Sequence, residues 1–198
     1  MSKTLSVAFI GGPSTGKTTL AKTLADKLCQ QGINAGYVKE FVTEDIQQNG
    51  IPNLANIGFE QIRFYLKQSA EENKIKADCD IAVTESPTYF SYIYALEGLA
   101  GNTDKRQQLA LDILRDYTAQ DSQRYDHVFY LKRELPYEDN GIRFHTEEQA
   151  KQVDTRILDV LNNFGVNYQV ISGNVEERCA QVFAALNISR KKAGQKTA

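Results

Sequence analysis

The sequence predicts an α/β fold: one domain built on a five-stranded parallel sheet with helices on both faces. Three observations predict it. Short apolar runs alternate along the chain with amphipathic helical stretches, the order produced by parallel strands joined through crossover helices. The strand runs are apolar throughout rather than alternating, as strands covered on both sides should be. The first run opens directly into a glycine-rich turn and then a helix.

The elements follow in order. Ser6 to Ile10 is an apolar strand that stops at Gly11-Gly12-Pro13, residues that punctuate a strand. Lys17 to Gln31 is a helix with Leu20, Leu24 and Leu28 on one side and Gly32 placed to end it. Ala35 to Phe41 reads as the second strand, and Asn56 to Ala77 as a long helix rich in Glu, Lys and Gln. Asp80 to Thr84 is the third strand. Ser86-Pro87 begins the next helix, with proline in the first turn. Asp104 to Thr118 is helical, and His127 to Leu131 is the fourth strand.

The segment Lys132 to His145 carries charge, proline and glycine but no apolar period, which predicts a loop or lid over about residues 132–145. Thr146 and Gln149 have capping-box spacing. Val153, Ile157, Val160, Leu161 and Phe164 then mark a buried helical stripe closed by Gly165. Tyr168 to Ile171 is the fifth strand. Val175, Cys179, Val182, Phe183 and Leu186 line the inner side of the last helix. Residues 1–188 thus form one domain, and the polar, basic residues 189–198 read as a flexible tail.

Composition narrows the functional classes. With 41% hydrophobic and 24% charged residues in 198, the chain reads as one soluble globular domain. A formal net charge of -2 argues against nucleic-acid binding driven by bulk charge. No apolar run approaches the ~20 residues needed to span a bilayer, and the start lacks the apolar core of a signal peptide. A cytoplasmic location without membrane attachment is therefore expected; the oligomeric state is left open. Cys29, Cys79 and Cys179 match no zinc spacing, and His127 and His145 are isolated, so no transition-metal site is expected.

The chemistry enters at Gly11-Gly12-Pro13-Ser14-Thr15-Gly16-Lys17-Thr18, which fits G-x-x-x-x-G-K-[ST] at every fixed position. Glycines let the backbone turn tightly, so that successive N–H groups face phosphate oxygens. The helix from Lys17 adds its positive end. Lys17 carries a mobile charge to the β and γ phosphates, and the Thr18 hydroxyl is a magnesium ligand. The run Gly11 to Thr19 is thus the expected binding segment for ATP with Mg²⁺. A guanine-reading N-K-x-D is absent from the sequence.

Ligands in such sheets lie at the carboxyl ends of the strands, and two strands end in acids. Glu85 follows strand three. If that strand neighbours strand one, Glu85 lies beside the glycine-rich loop and holds magnesium directly or through water. Glu40 ends strand two, with Glu44 one helical turn on, and would take a proton from an attacking hydroxyl. Arg133 and Arg143 flank Pro136-Tyr137-Glu138-Asp139-Asn140-Gly141; a lid bringing arginine across a γ-phosphate would exclude water and neutralise charge.

These residues resemble the P-loop kinases related to the ribosylnicotinamide kinase domain of NadR, an AAA_28-type group. The likeness rests on Gly11 to Leu20, on Glu40-Phe41-Val42-Thr43-Glu44, similar to that family's E-aromatic-x-R-E, and on Pro136 to Arg143, similar to its P-W-x-D-D-G-x-R lid. It runs from about Ser6 to Leu186. The resemblance implies the strand order 2-3-1-4-5, ATP as donor, a nucleoside-like acceptor, and Ser172-Gly173-Asn174 near the adenine. Thr43 stands where that pattern has arginine, and Glu85-Ser86 where many relatives carry Asp-Arg; the Glu-Ser pair resembles the E-R-S of deoxynucleoside kinases.

The expected function is an ATP-dependent small-molecule kinase. Ribosylnicotinamide leads as acceptor, followed by a deoxynucleoside or a nucleoside monophosphate. Lys17, Glu40, Glu85, Arg143 and Arg133 are the expected catalytic set. The competing expectation is a nucleotide-dependent ATPase or switch acting through a protein or nucleic-acid partner.

Overall fold

The computed structural model describes residues 3–134 and 147–188. Its strands are β1 (Leu5–Ile10), β2 (Ala35–Val38), β3 (Ile81–Thr84), β4 (His127–Leu131) and β5 (Gln169–Ile171). Its helices are α1 (Lys17–Gln30), α2 (Phe41–Asn49), α3 (Ile57–Ala77), α4 (Tyr89–Gly98), α5 (Lys105–Gln120), α6 (Glu147–Asn163) and α7 (Val175–Ala185). The sheet order is β2-β3-β1-β4-β5, with every pairing parallel, so the expected fold class and strand order are those observed. β1 lies at the centre, Val7 opposite both Val83 and His127.

Alternation of side chains across the sheet splits the core in two. Val7, Phe9, Val83, Phe129 and Leu131 face Leu20, Leu24 and Leu28 of α1 and Val182 and Phe183 of α7. Ala8, Ile10, Val128 and Tyr130 face Ile93 of α4 and Val153, Ile157 and Leu161 of α6. Tyr65 of α3, Ala95 of α4 and Leu114 of α5 close a third cluster.

Two boundaries differ from expectation for reasons that matter to the site. β2 ends at Val38 rather than Phe41, because the next backbone donors are taken by side chains. Glu40 N–H donates to Glu85 Oε1 at 2.8 Å and Phe41 N–H to Gln68 Oε1 at 2.9 Å. The chain then turns into α2, a helix the apolar pattern did not mark. α4 begins at Tyr89 rather than at Ser86-Pro87. Thr88 is pinned first: its N–H donates to Tyr125 Oη at 2.9 Å and its hydroxyl to Asp121 Oδ2 at 2.7 Å. Residues 135–146, with Arg143 and the Pro136 to Gly141 run, lie outside the described residues, as do the Thr146 end of the expected capping box and the tail 189–198. Among the described helices none is long and apolar enough to cross a membrane.

Candidate functional site

The loop from Gly11 to Gly16 follows the carboxyl end of β1 and runs into α1. Its turn depends on two left-handed residues, Ser14 (φ 66°) and Gly16 (φ 88°), the second at the α1 N-cap. Gly12 is required for a different reason. A Cβ there would collide with Asp154 Oδ1 and the Arg133 guanidinium. Thr15 braces the turn by donating to Gly12 O at 2.9 Å. Lys17 Nζ bends back onto Gly11 O (2.7 Å) and Gly12 O (3.0 Å) and lies 5.4 Å from the Phe90 ring centre. Burial pulls its pKa below that of an ordinary lysine, opposed by the carboxylates of Glu40, Glu85 and Asp154. One cation therefore feels three acids from β2, β3 and α6. Thr18 and Thr19 stand exposed in the first turn of α1.

β3 does neighbour β1, which brings Glu85 beside the loop. Glu85 is 4% exposed. One of its oxygens holds Glu40 N–H; the other, Oε2, is buried and accepts no hydrogen bond from the described residues. Glu40 is half-buried. Ser86 Oγ donates to its Oε1 at 3.0 Å, and the Thr43 hydroxyl donates to Oε2. The two positions at which the sequence departs from the arginine pattern thus converge on one carboxylate. Glu44 instead pairs with Lys39 on the surface at 3.6 Å.

Arg133, at the end of β4, lies against the loop. Its Nε donates to Asp154 Oδ2 at 2.6 Å and a terminal nitrogen to Pro13 O at 2.7 Å. Asp154 Oδ1 in turn accepts Gly12 N–H at 2.8 Å. Sequence reasoning missed Asp154, which no motif marks; its only signal is being polar next to Val153 in the apolar stripe of α6. It also missed Arg178, 2% exposed. This guanidinium donates to Thr15 O (2.6 Å) and Lys132 O (3.1 Å), tying the loop to the ends of β4 and α7. Burial lowers its pKa against the opposing charge of Glu134. Glu134 Oε2 accepts Gly173 N–H at 2.6 Å, which fixes the turn at Ser172-Gly173-Asn174.

Behind the acids, Glu72 on α3 is fully buried. It accepts from Tyr125 Oη at 2.6 Å and Arg124 Nε at 2.7 Å. Tyr125 carries that support to Thr88, three residues past Glu85, so the β3–α4 turn is held from below by hydrogen bonds rather than by packing alone.

A hard divalent cation fits this donor set. Glu85 offers a buried carboxylate oxygen with no hydrogen bond from the described residues and Thr18 a hydroxyl, both oxygen donors of the kind magnesium takes alongside phosphates and water. A family model described as AAA_28: AAA domain matches residues 6–178. The chain belongs to the AAA_28 family. Solved structures similar to this AAA_28 chain include NadR in complex with NR, at TM-score 0.78 and 18% identity over 98% of this chain and 54% of that one. The chain therefore spans about half the length of NadR. A deoxyadenosine kinase from M. mycoides, solved with the products dCMP and dCDP, matches at TM-score 0.63 and 14% identity, covering 92% of this chain and 99% of that one. A thymidylate kinase from Ehrlichia chaffeensis matches at TM-score 0.58 and 15% identity, over 94% and 100%. No curated protein matches by sequence. At these identities the AAA_28 chain shares the fold of P-loop kinases.

Proposed function

We propose that this chain is a kinase that transfers the γ-phosphoryl group of ATP to a hydroxyl of a nucleoside-like small molecule. The observation that carries this reading is the seat of Glu40: a strand-end carboxylate beside the P-loop lysine, its oxygens held by Ser86 and Thr43 and its own N–H by Glu85. An ATPase would use the same acid on water, so ADP release that depends on a small acceptor is what separates the two.

The steps follow from the residues. Lys17 leaves the Gly11 and Gly12 carbonyls for the β and γ phosphates, a better partner for an ammonium. Backbone N–H groups of the loop and the first turn of α1 hold the same oxygens. Thr18 and Glu85 would hold magnesium, which would supply charge neutralisation on the phosphate oxygens. Glu40 accepts the proton of the acceptor hydroxyl as its oxygen bonds to the γ-phosphorus and the bond to the β–γ bridging oxygen breaks, releasing ADP. Arg143, with Arg133, neutralises charge on the phosphoryl group in flight.

The acceptor end favours a substrate that carries no phosphate. Among the described residues hydroxyls, not guanidinium groups, donate to Glu40, and Arg63 is already committed to Asp45 at 2.6 Å. A nucleoside monophosphate therefore ranks last, behind ribosylnicotinamide and a deoxynucleoside. The fold match to NadR with NR supports placing ribosylnicotinamide ahead of a deoxynucleoside. An ATP-consumption screen across nucleosides and nucleoside monophosphates tests it. A nucleoside should stimulate ADP release, and Arg143→Ala should cut that rate strongly with a smaller effect on ATP affinity. Rapid ATP turnover that no small acceptor stimulates would instead favour a nucleotide-dependent switch working through a macromolecular partner.

A further inference from the structure

Tyr37 Oη on β2 and Glu85 Oε2 just past β3 are among the buried polar atoms that have no hydrogen-bond partner among the described residues. Tyr37 is directly opposite Val83 in the ladder, so Glu85, two residues on, falls on the same face of the sheet. The diagonal spacing is within reach of a tyrosine. The two groups face each other: after burial, hydrogen bonding toward Glu85 and then its charge raise the Tyr37 pKa, although the pair falls short of full hydrogen-bond geometry. That face is the α1 face. Lys22 Nζ lies 5.7 Å from the centre of the Tyr37 ring, and Thr18 is four residues before Lys22, one turn away on the same side of α1. Tyr37 thus stands under the stretch of α1 that begins with Thr18, beside the one Glu85 oxygen left without a partner.

Leaving a hydroxyl and a carboxylate oxygen buried and unpaired is costly, and native structures rarely do so unless an ion or ordered water completes the set. A phenol can donate one hydrogen bond and accept another. It can therefore donate to a carboxylate and also accept a hydrogen bond from a water bound to a cation.

We infer that Tyr37 is a positioning residue for the divalent-cation site: its hydroxyl orients the free oxygen of Glu85, and through that oxygen it sets how tightly the cation is held. The inference rests on the reading of Glu85 as the cation-facing acid. A partner of this kind, one step removed from the metal, typically governs affinity by roughly 10-fold or more.

The test is Tyr37→Phe in the full chain, which keeps the ring under Lys22 and removes only the hydroxyl. Mn²⁺ binding is measured by electron paramagnetic resonance with a non-hydrolysable ATP analogue present. Analogue binding without metal and the melting temperature are measured alongside, with Glu85→Gln as the reference. Expected is a Mn²⁺ Kd raised roughly 10-fold, with metal-free analogue binding and melting held near wild type. If Glu85→Gln weakens Mn²⁺ but Tyr37→Phe does not, the inference is overturned and the cation role of Glu85 stands. If neither variant changes Mn²⁺ affinity, the cation role of Glu85 fails and the inference goes with it. An equal loss of metal-free analogue binding would make Tyr37 a packing residue instead.

Discussion

The Glu85 carboxylate accepts the backbone N–H of Glu40 at 2.8 Å, so the acids that end β3 and β2 form one assembly in which one side chain sets the other's backbone. This bond also terminates β2, since the donor that would have extended the ladder is spent on it.

A consequence separates charge from scaffold at Glu85. Glu85→Gln keeps an acceptor for Glu40 N–H but removes the charge, so it should weaken cation-dependent ATP binding while leaving the melting temperature close to wild type. Glu85→Ala strips the acceptor and leaves a backbone donor unpaired, which should cost about 1–3 kcal/mol. Thermal melts paired with Mn²⁺ titrations distinguish the two. A Gln variant that binds cation normally would reduce Glu85 to a structural strand-end acid.

At Glu40 the expected loss is kinetic. Glu40→Gln keeps an acceptor oxygen for one of its hydroxyl partners but cannot take a proton, so the rate of transfer to acceptor should fall ~10²–10⁴-fold. Affinity for an ATP analogue should stay within a few-fold of wild type. Comparable losses in both would place Glu40 in the nucleotide or cation site rather than at the acceptor.

Asp154 and Arg133 should behave as a coupled pair. Both side chains are mostly buried, 14% and 13% exposed. Asp154→Ala leaves a guanidinium without its anion and Gly12 N–H without its acceptor, which should destabilise by about 3 kcal/mol and weaken ATP binding by loosening the loop. Adding Arg133→Ala should recover part of the stability, because the uncompensated charge is gone. A double-mutant cycle by urea denaturation measures this; strict additivity would mean the pair contributes nothing as a pair.

Asp45 gives a pH prediction. Hydrogen bonding to Arg63 holds its carboxyl below the usual range. A carboxylate whose folded pKa is depressed adds stability above the unfolded value of about 3.9, and that stability is lost as pH falls through the folded value. The stability gap between wild type and Asp45→Asn should therefore be full near neutrality and shrink below about pH 4. A gap that is the same at pH 7 and pH 3 would show that the Arg63 pairing does not act through the charge.

The residues legible in advance carry local signals. Apolar runs, helical stripes and Gly11 to Thr18 are short-range patterns, because strand burial, helix period and a tight phosphate loop depend on residues close in sequence. From these alone came the α/β class, the loop and the placement of Glu40 and Glu85 at strand ends; the strand order and the nucleoside-like acceptor came from the family resemblance. What only the tertiary structure decided is pairing across long separations. Asp154 reaches Gly12, Arg178 reaches Thr15, and Gln68 caps Phe41. Each is a single polar residue on a helix, and the pattern of a helix tells which side is apolar, not which distant backbone group a polar residue will meet. The early end of β2 and the unmarked α2 have the same origin. A strand stops where its donors find better acceptors, and those acceptors, Glu85 and Gln68, arrive from elements that meet β2 only once the sheet and α3 have packed.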